Sequence, residues 1–157
     1  MKILVAVDGS PSSCAAVAEI AHRPWPENTQ VRLLTVDPPT SPTLLPLGVP
    51  STYDEIVRTQ RKVALEYLDK AVAVLAEDAP QLSVTTSLAE GYPKDVIVTE
   101  AENWDADLIV MGSHGYGPIR RFFLGSVSLY VAHNAPCSVL IVRGTKRTKD
   151  ADNASSS

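Results

Sequence analysis

Five short apolar runs, rich in β-branched residues, alternate along this chain with four segments of helical periodicity. The runs are Ile3–Val7, Val31–Val36, Leu82–Leu88, Leu108–Met111 and Val139–Val142, the third weaker and more polar than the others. Three of them are nearly continuous hydrophobic stretches, the pattern of strands covered on both faces. Ser10-Pro11-Ser12 opens the first helix with a hydroxyl cap and a proline placed where its missing N–H costs little. That helix runs through Ala15–Ala21 and is stopped by Pro24 and Pro26. The second spans about Tyr53 to Glu77, and its Ile56, Val63, Ala64, Tyr67, Leu68, Ala71 and Leu75 share one buried face. The third starts at Pro93 and carries Val96, Ile97, Ala101 and Trp104. The fourth covers Ser126 to Asn134, with Asn134 and Pro136 ending it. Strands alternating with helices predict a single doubly wound α/β domain, an open five-stranded parallel sheet with helices on both faces.

The chain has 157 residues, one domain's worth, and its 45% apolar content supplies a core. Charged residues make up 20% and the net charge is −4, which excludes a strongly basic nucleic-acid binder and a highly charged disordered chain. No apolar run approaches the ~20 residues that span a bilayer. The first run reaches Asp8 too soon for a signal peptide. Cys14 and Cys137 lack metal-ligand spacing, so two buried thiols in a reducing cytoplasm are expected. Two stretches break the alternation. Asp37 to Thr52 is a connection of sixteen residues with five prolines and one charge, a loop that is functional, packs on a partner or is disordered. Gly144 to Ser157 has no large apolar residue and is expected to be a disordered tail, leaving residues 1–143 as the domain.

In such a sheet, ligands bind beyond the carboxyl ends of the strands, where strand order reverses. The candidates are therefore Asp8-Gly9-Ser10, Asp37-Pro38, Glu90-Gly91-Tyr92-Pro93 and Gly112-Ser113-His114-Gly115-Tyr116-Gly117. The glycines of the last stretch allow positive φ and close backbone approach, and successive N–H groups in such a turn form an anion nest. Gly125-Ser126 then opens a helix, placing N–H groups and the Ser126 hydroxyl cap at the positive end of its dipole. Two anion-binding elements in one segment suit a chain of phosphates better than a plain βα turn followed by a cap. Other phosphate motifs fail. No Gly-Lys pair exists for a P-loop, and Asp8-Gly9-Ser10-Pro11-Ser12-Ser13 has one glycine where a dinucleotide fingerprint needs three. Gly115-x-Gly117-x-x-Arg120 also lacks the third glycine, and Leu88-Ala89-Glu90 lacks the aspartate of a receiver domain.

The pattern that matches is Gly112-x2-Gly115-x9-Gly125-Ser126, which resembles the ATP-binding signature of the universal stress protein family at every fixed position. Val5-Ala6-Val7-Asp8-Gly9-Ser10, Leu33-Leu34-Thr35-Val36 and Gly91-x-Pro93 look like that family's first strand and turn, second strand and third-helix turn. Asp107 to Gly115 and Pro136 to Val142 are similar to its fourth and last strands, so the resemblance covers about residues 1–143. It implies strand order 3-2-1-4-5 and an ATP cleft at the ends of strands one and four. Carried over, Ala6 and Val7 line the pocket beside Met111, and Asp8 faces the ribose or a Mg²⁺ ion. Val36 holds the adenine edge through its backbone. Gly112, Ser113 and Gly115 take the α/β-phosphates and ribose, while Gly125, Ser126, Val127 and Ser128 take the β/γ-phosphates. By that order Val139–Val142 is an exposed hydrophobic edge, a hazard unless covered, and pairing with its copy in a homodimer is the family's usual arrangement.

The implied function is a cytoplasmic, ATP-dependent sensor or adaptor in the stress response, with an unknown protein partner. The alternative is a slow ATPase or nucleotidyl-transfer enzyme on the same fold. That alternative needs a base or clamping lysine, and Lys94 is the only lysine near strand ends. A nucleotide-free module working through Asp37–Thr52 is a third class, and the intact glycine signature argues against it. Single residues keep two readings. Asp8 contacts ligand or caps the first turn, and His114 meets nucleotide or solvent. Arg120 and Arg121 form a solvated face or approach phosphates; Phe122, Phe123, Trp25 and Trp104 read as packing. His22 and His133 suit helix ends.

Overall fold

The computed structural model describes residues 1–39, 50–115 and 124–144. Strands β1 (Lys2–Ala6), β2 (Gln30–Asp37), β3 (Ser83–Glu90), β4 (Leu108–Gly112) and β5 (Ser138–Val142) alternate with helices α1 (Pro11–His22), α2 (Pro50–Asp78), α3 (Pro93–Asn103) and α4 (Ser126–Asn134). All neighbouring strands are parallel, and the sheet order is β3-β2-β1-β4-β5, as the resemblance implies. The Arg120-Arg121-Phe122-Phe123 stretch, residues 40–49 of the long connection and the expected tail beyond Gly144 lie outside the described residues.

Successive side chains of a strand point to opposite faces, and here that alternation builds a core on each side of the sheet. Ile3, Val5, Leu33 and Val110 meet Val17 and Ile20 of α1 and Leu68 and Leu75 of α2. Leu4, Leu34, Ile109 and Met111 meet Ile97 and Ala101 of α3 and Val131 of α4. Ile3, Leu4, Val5, Ile109 and Val110 have no solvent exposure at all, which is why β1 and β4 read as unbroken apolar runs. The chain builds outward from β1 to β3 through α1 and α2, then returns through α3 to start again on the other side of β1. Right-handed crossovers in opposite directions place the two helix pairs on opposite faces.

Departures from the expected boundaries have physical causes. β3 runs Ser83–Glu90 and not Leu82–Leu88, because an edge strand with polar, exposed positions carries little alternation of its own. Its register comes from the β2 ladder, Gln30↔Ser83 through Asp37↔Glu90. α2 begins at Pro50, ahead of Tyr53, using proline at its first position. The thiols are not both buried: Cys14 is exposed and Cys137 half-buried. Cys14 falls on the outward side of α1, between Ser13 and Ala16 of its buried face. Trp25 and Trp104 do pack at core rims, with Trp25 Nε1–H donating to the Ile20 carbonyl at 2.8 Å and Arg32 stacked 4.3 Å over the Trp104 ring.

β2 ends on Asp37, buried on the α1/α2 side. Burial pushes its carboxyl above the ordinary aspartate range, the Glu90 charge adds to this, and Arg61 opposes it. Arg61 itself lies 3.6 Å from Glu90. Ionising Asp37 therefore opposes folding. That penalty is absent below the unfolded pKa and complete once pH has risen through the raised folded value. Asp37→Asn is expected to raise the urea midpoint at pH 7, with the gain fading as pH falls through the raised folded value and gone below about 4. A variant no more stable than wild type at pH 7 contradicts this account.

Candidate functional site

β1 and β4 end side by side, and beyond them opens a cavity of about 600 Å³, within the usual size of a small-molecule site. Part of its lining is apolar, from Ala6, Leu34, Val36, Ile97, Met111 and Val127. The rest is polar and includes Asp8, Ser10, His114, Gly115, Ser126 and Ser128. Of the residues implied to hold ligand, Ala6, Val7, Asp8, Val36, Met111, Gly112, Gly115, Gly125, Ser126, Val127 and Ser128 all line this one cavity. Ser113 is buried behind it.

The turn after β1 is built by short polar side chains. Ser10 N–H donates to Asp8 Oδ1 at 2.9 Å, an Asx turn that orients the exposed carboxylate. Ser10 also caps α1, its hydroxyl accepting from Ser13 N–H at 3.3 Å. The Ser10 hydroxyl donates to the His114 carbonyl at 3.2 Å, and the Ser12 hydroxyl donates to the same oxygen. These bonds clasp the start of α1 to the loop after β4.

The clasp explains the glycines differently from the sequence. Among the described residues only Gly9 and Gly91 are glycines at positive φ; Gly112 and Gly115 are not. What Gly112 provides is room: a Cβ there would lie 2.7 Å from the backbone carbon of Ser12 and the nitrogen of Ser13. A Cβ on Gly115 would lie 3.0 Å from Asp8 Oδ2, so this glycine brings the loop against the carboxylate. Gly117 lies outside the described residues.

At α4 the cap is Gly125, not the Ser126 hydroxyl, and no side chain caps the first N–H groups of the helix. Ser126 occupies the first helical position and is exposed. The buried Ser128 hydroxyl turns inward to the Ser113 carbonyl at 2.9 Å, and Gly125 N–H donates to that carbonyl at 2.8 Å. Ser113 thus anchors the helix start, while its own N–H donates to the Val142 carbonyl of β5. The N–H groups of Ser126, Val127 and Ser128 lack intrahelical partners and belong to cavity-lining residues. α1 is capped by its own serine; α4 presents its dipole to the cavity.

Val36 offers backbone on the apolar side. Val7 N–H donates to the Leu34 carbonyl at 2.8 Å, so Leu34 faces β1. Two residues on, the N–H and C=O of Val36 face the same way, past the end of β1 at Ala6. His114 is half-buried, with Nδ1 3.0 Å from Ser113 Oγ. Of the candidates after β3 only Pro93 lines the cavity; the sequence missed Leu34 and Ile97, although Ile97 lay on the apolar face of its helix. No cluster of three or more His, Cys, Asp or Glu able to hold a metal occurs among the described residues.

The model of the universal stress protein family matches residues 1–143. The chain belongs to the universal stress protein family. Universal stress protein Sll1388 of Synechocystis sp. is 32% identical over 151 residues, covering 90% of this chain and 97% of that one. Among solved structures, universal stress protein UspA from Lactobacillus plantarum superposes with a TM-score of 0.75 at 27% identity, over 91% of this chain and 97% of that chain. A universal stress protein in complex with cAMP superposes with a TM-score of 0.60 at 27% identity, over 92% of this chain and 98% of that chain. Members of this family are stress-response proteins, and the five-stranded sheet described above is their fold.

The two glycines on either side of the clasp should separate in experiment. Gly112→Ala overpacks backbone against backbone and is expected to cost about 1–3 kcal/mol in urea denaturation. Gly115→Ala presses only on an exposed carboxylate and should stay within about 0.5 kcal/mol of wild type. Equal losses in both variants contradict the assignment of Gly112 to packing.

Proposed function

We propose that this cavity binds an adenine nucleotide, ATP with Mg²⁺, and that the domain at residues 1–143 serves as a nucleotide-dependent sensor or adaptor in the cytoplasm. The observation that carries this reading is the start of α4, whose N–H groups have no side-chain cap and which lines the same cavity as Asp8 and the Gly115 loop. The phosphates lie at the N–H groups of Ser126, Val127 and Ser128 and along Gly112–Gly115, which Ser113 holds in place. The base lies against Leu34, Ile97 and Met111. Val36 N–H and C=O pair with the acceptor and the exocyclic donor of adenine; guanine presents these in the opposite sense. Asp8, the only acid lining the cavity among the described residues, reaches the ribose or the metal. A lone carboxylate fits Mg²⁺ that is otherwise held by phosphates and water. The cAMP complex of a related protein supports a purine nucleotide in this fold.

The enzymatic alternative, a slow ATPase or nucleotidyl-transfer protein, is less well supplied. Phosphoryl transfer needs charge neutralised at the γ-phosphate and a water held in line. Lys94 Nζ sits 5.0 Å over the Tyr130 ring, committed to the α3–α4 contact. His114 is the only imidazole lining the cavity among the described residues. Calorimetry is expected to show ATP bound in preference to GTP, with binding abolished in Gly115→Val. Phosphate release should fall orders of magnitude below the enzyme median of about 10 s⁻¹. Turnover near that median, lost in His114→Ala at unchanged affinity, is the result that favours the enzyme.

We further propose a homodimer through β5, the last strand of the sheet. Ser113 N–H donates to the Val142 carbonyl, so Val142 faces β4 and Ile141 faces outward. The outer edge of β5 is left without a strand in this sheet, and a two-fold antiparallel pairing covers it. Ile141→Pro removes an outward donor and spares the β4 ladder. Sedimentation at micromolar concentration should give a dimer for wild type and a monomer for this variant; a monomeric wild type refutes the interface.

A further inference from the structure

Gly9 stands between Asp8 and Ser10 at φ 76°, in the left-handed region. The ring of Tyr67, from the middle of α2, lies directly against it: a Cβ on Gly9 would come 2.5 Å from Cδ1 and Cζ of that ring. Tyr67 is half-buried and packs on the α1/α2 core. Glycine has no side chain to hold one backbone conformation, and the Tyr67 ring fills the space a side chain at Gly9 would take, so a ring packed there limits the alternatives open to this residue. Those alternatives would break the Asx turn, in which Ser10 N–H fixes Asp8 Oδ1. With Oδ1 tied down, Oδ2 stands against Gly115, across the mouth of the loop that follows β4.

We propose that Tyr67 is a positioning residue of the nucleotide site: its ring sets Gly9, Gly9 sets the Asx turn, and the turn aims Asp8. This rests on the cavity being a nucleotide site. It adds a link between that site and α2, a helix none of whose described residues lines the cavity. Linkage is reciprocal. A ligand held by Asp8 favours the docked position of Tyr67, and whatever loosens α2 weakens the ligand by the same factor. α2 is entered from the long connection after Asp37 and presents Leu65 and Val74 to solvent, so nucleotide occupancy is communicated to an outer surface of the domain.

The test is a double-mutant cycle read by calorimetry with ATP and Mg²⁺. Tyr67→Ala is expected to weaken binding about tenfold, the scale of one misplaced charged contact. Tyr67→Leu keeps an apolar side chain for the core but not the flat ring, and should show the same loss if the alanine variant is poorly folded. Tyr67→Phe keeps the ring and should restore most of the affinity. In an Asp8→Ala background the Tyr67→Ala loss should shrink below about twofold, because the two residues act as one unit. Without ligand, Tyr67→Ala should also speed hydrogen exchange at Ser10 N–H, the donor of the Asx turn. Full additivity with Asp8→Ala, or a Tyr67→Ala variant with a lower melting point and unchanged affinity, overturns the proposal. Wild-type protein that binds no nucleotide overturns the nucleotide reading and this proposal with it.

Discussion

The reversal of strand order at β1 is the constraint on which the rest of the molecule depends. β1 pairs with β2 on one side and β4 on the other, so the chain must build the sheet in both directions from its centre. Right-handed crossovers then force α1 and α2 onto one face and α3 and α4 onto the other. Helices leaving β1 and β4 diverge, and a gap remains at the carboxyl ends of those strands. The same reversal demands strands apolar on both faces. Residues 3–7 and 108–111 are all apolar, and polar chemistry begins directly after them, at Asp8 and at Gly112-Ser113-His114. Fold and candidate site are two results of one topological requirement.

A gap between diverging loops is only useful if the loops hold still. Here the stiffening is polar and local. Ser10 and Ser12 converge on one carbonyl of His114, while Gly125 N–H and the Ser128 hydroxyl converge on one carbonyl of Ser113. Consecutive residues of the β4 loop thus anchor α1 and α4 in turn. Each bond contributes about 0.5–1.5 kcal/mol net, modest beside the two cores. No buried side-chain N or O atom among the described residues lacks a partner. Ser10, Ser12 and Ser128 are therefore occupied in shaping the cavity. Backbone N–H groups at α4 stay free of a side-chain cap, and groups fixed before binding lose little entropy when a ligand arrives.

Much of this was legible because periodicity is local. The apolar runs gave β1, β2, β4 and β5 to within a residue or two, and the 3–4 spacing gave the buried faces of α2 and α3. The edge strand β3 lies one residue later at its start and two at its end than its apolar run, because its polar and partly exposed positions follow no clean alternation. At the site the residue types were legible but their roles were not. Gly112 reads identically whether it serves a left-handed turn or an abutting helix; only the position of Ser12, a hundred residues earlier in sequence, decides. Ser126 has the chemistry of a cap, yet Gly125 takes the position and leaves the hydroxyl outside. Tyr67 looked like one more core residue of α2, and its ring does touch the core. Its second contact, with Gly9, joins segments that no local pattern connects.

The character of the lining also bears on what a bound nucleotide would experience. Its donors are mainly backbone N–H groups and the α4 dipole, worth about 0.3–2 kcal/mol toward a negative group depending on burial. These favour a phosphate chain in its ground state about as much as in any transition state derived from it. Uniform binding of that kind lowers the dissociation constant without accelerating chemistry. Acceleration requires groups matched to charge that develops only in transit, and Lys94, next in sequence to the lining Pro93, is spent on the Tyr130 ring. On the proposed reading, then, affinity and inertness have the same origin. A domain that retains its nucleotide intact can report on nucleotide supply, which suits a sensor whose output passes through Gly9 and Tyr67 to α2.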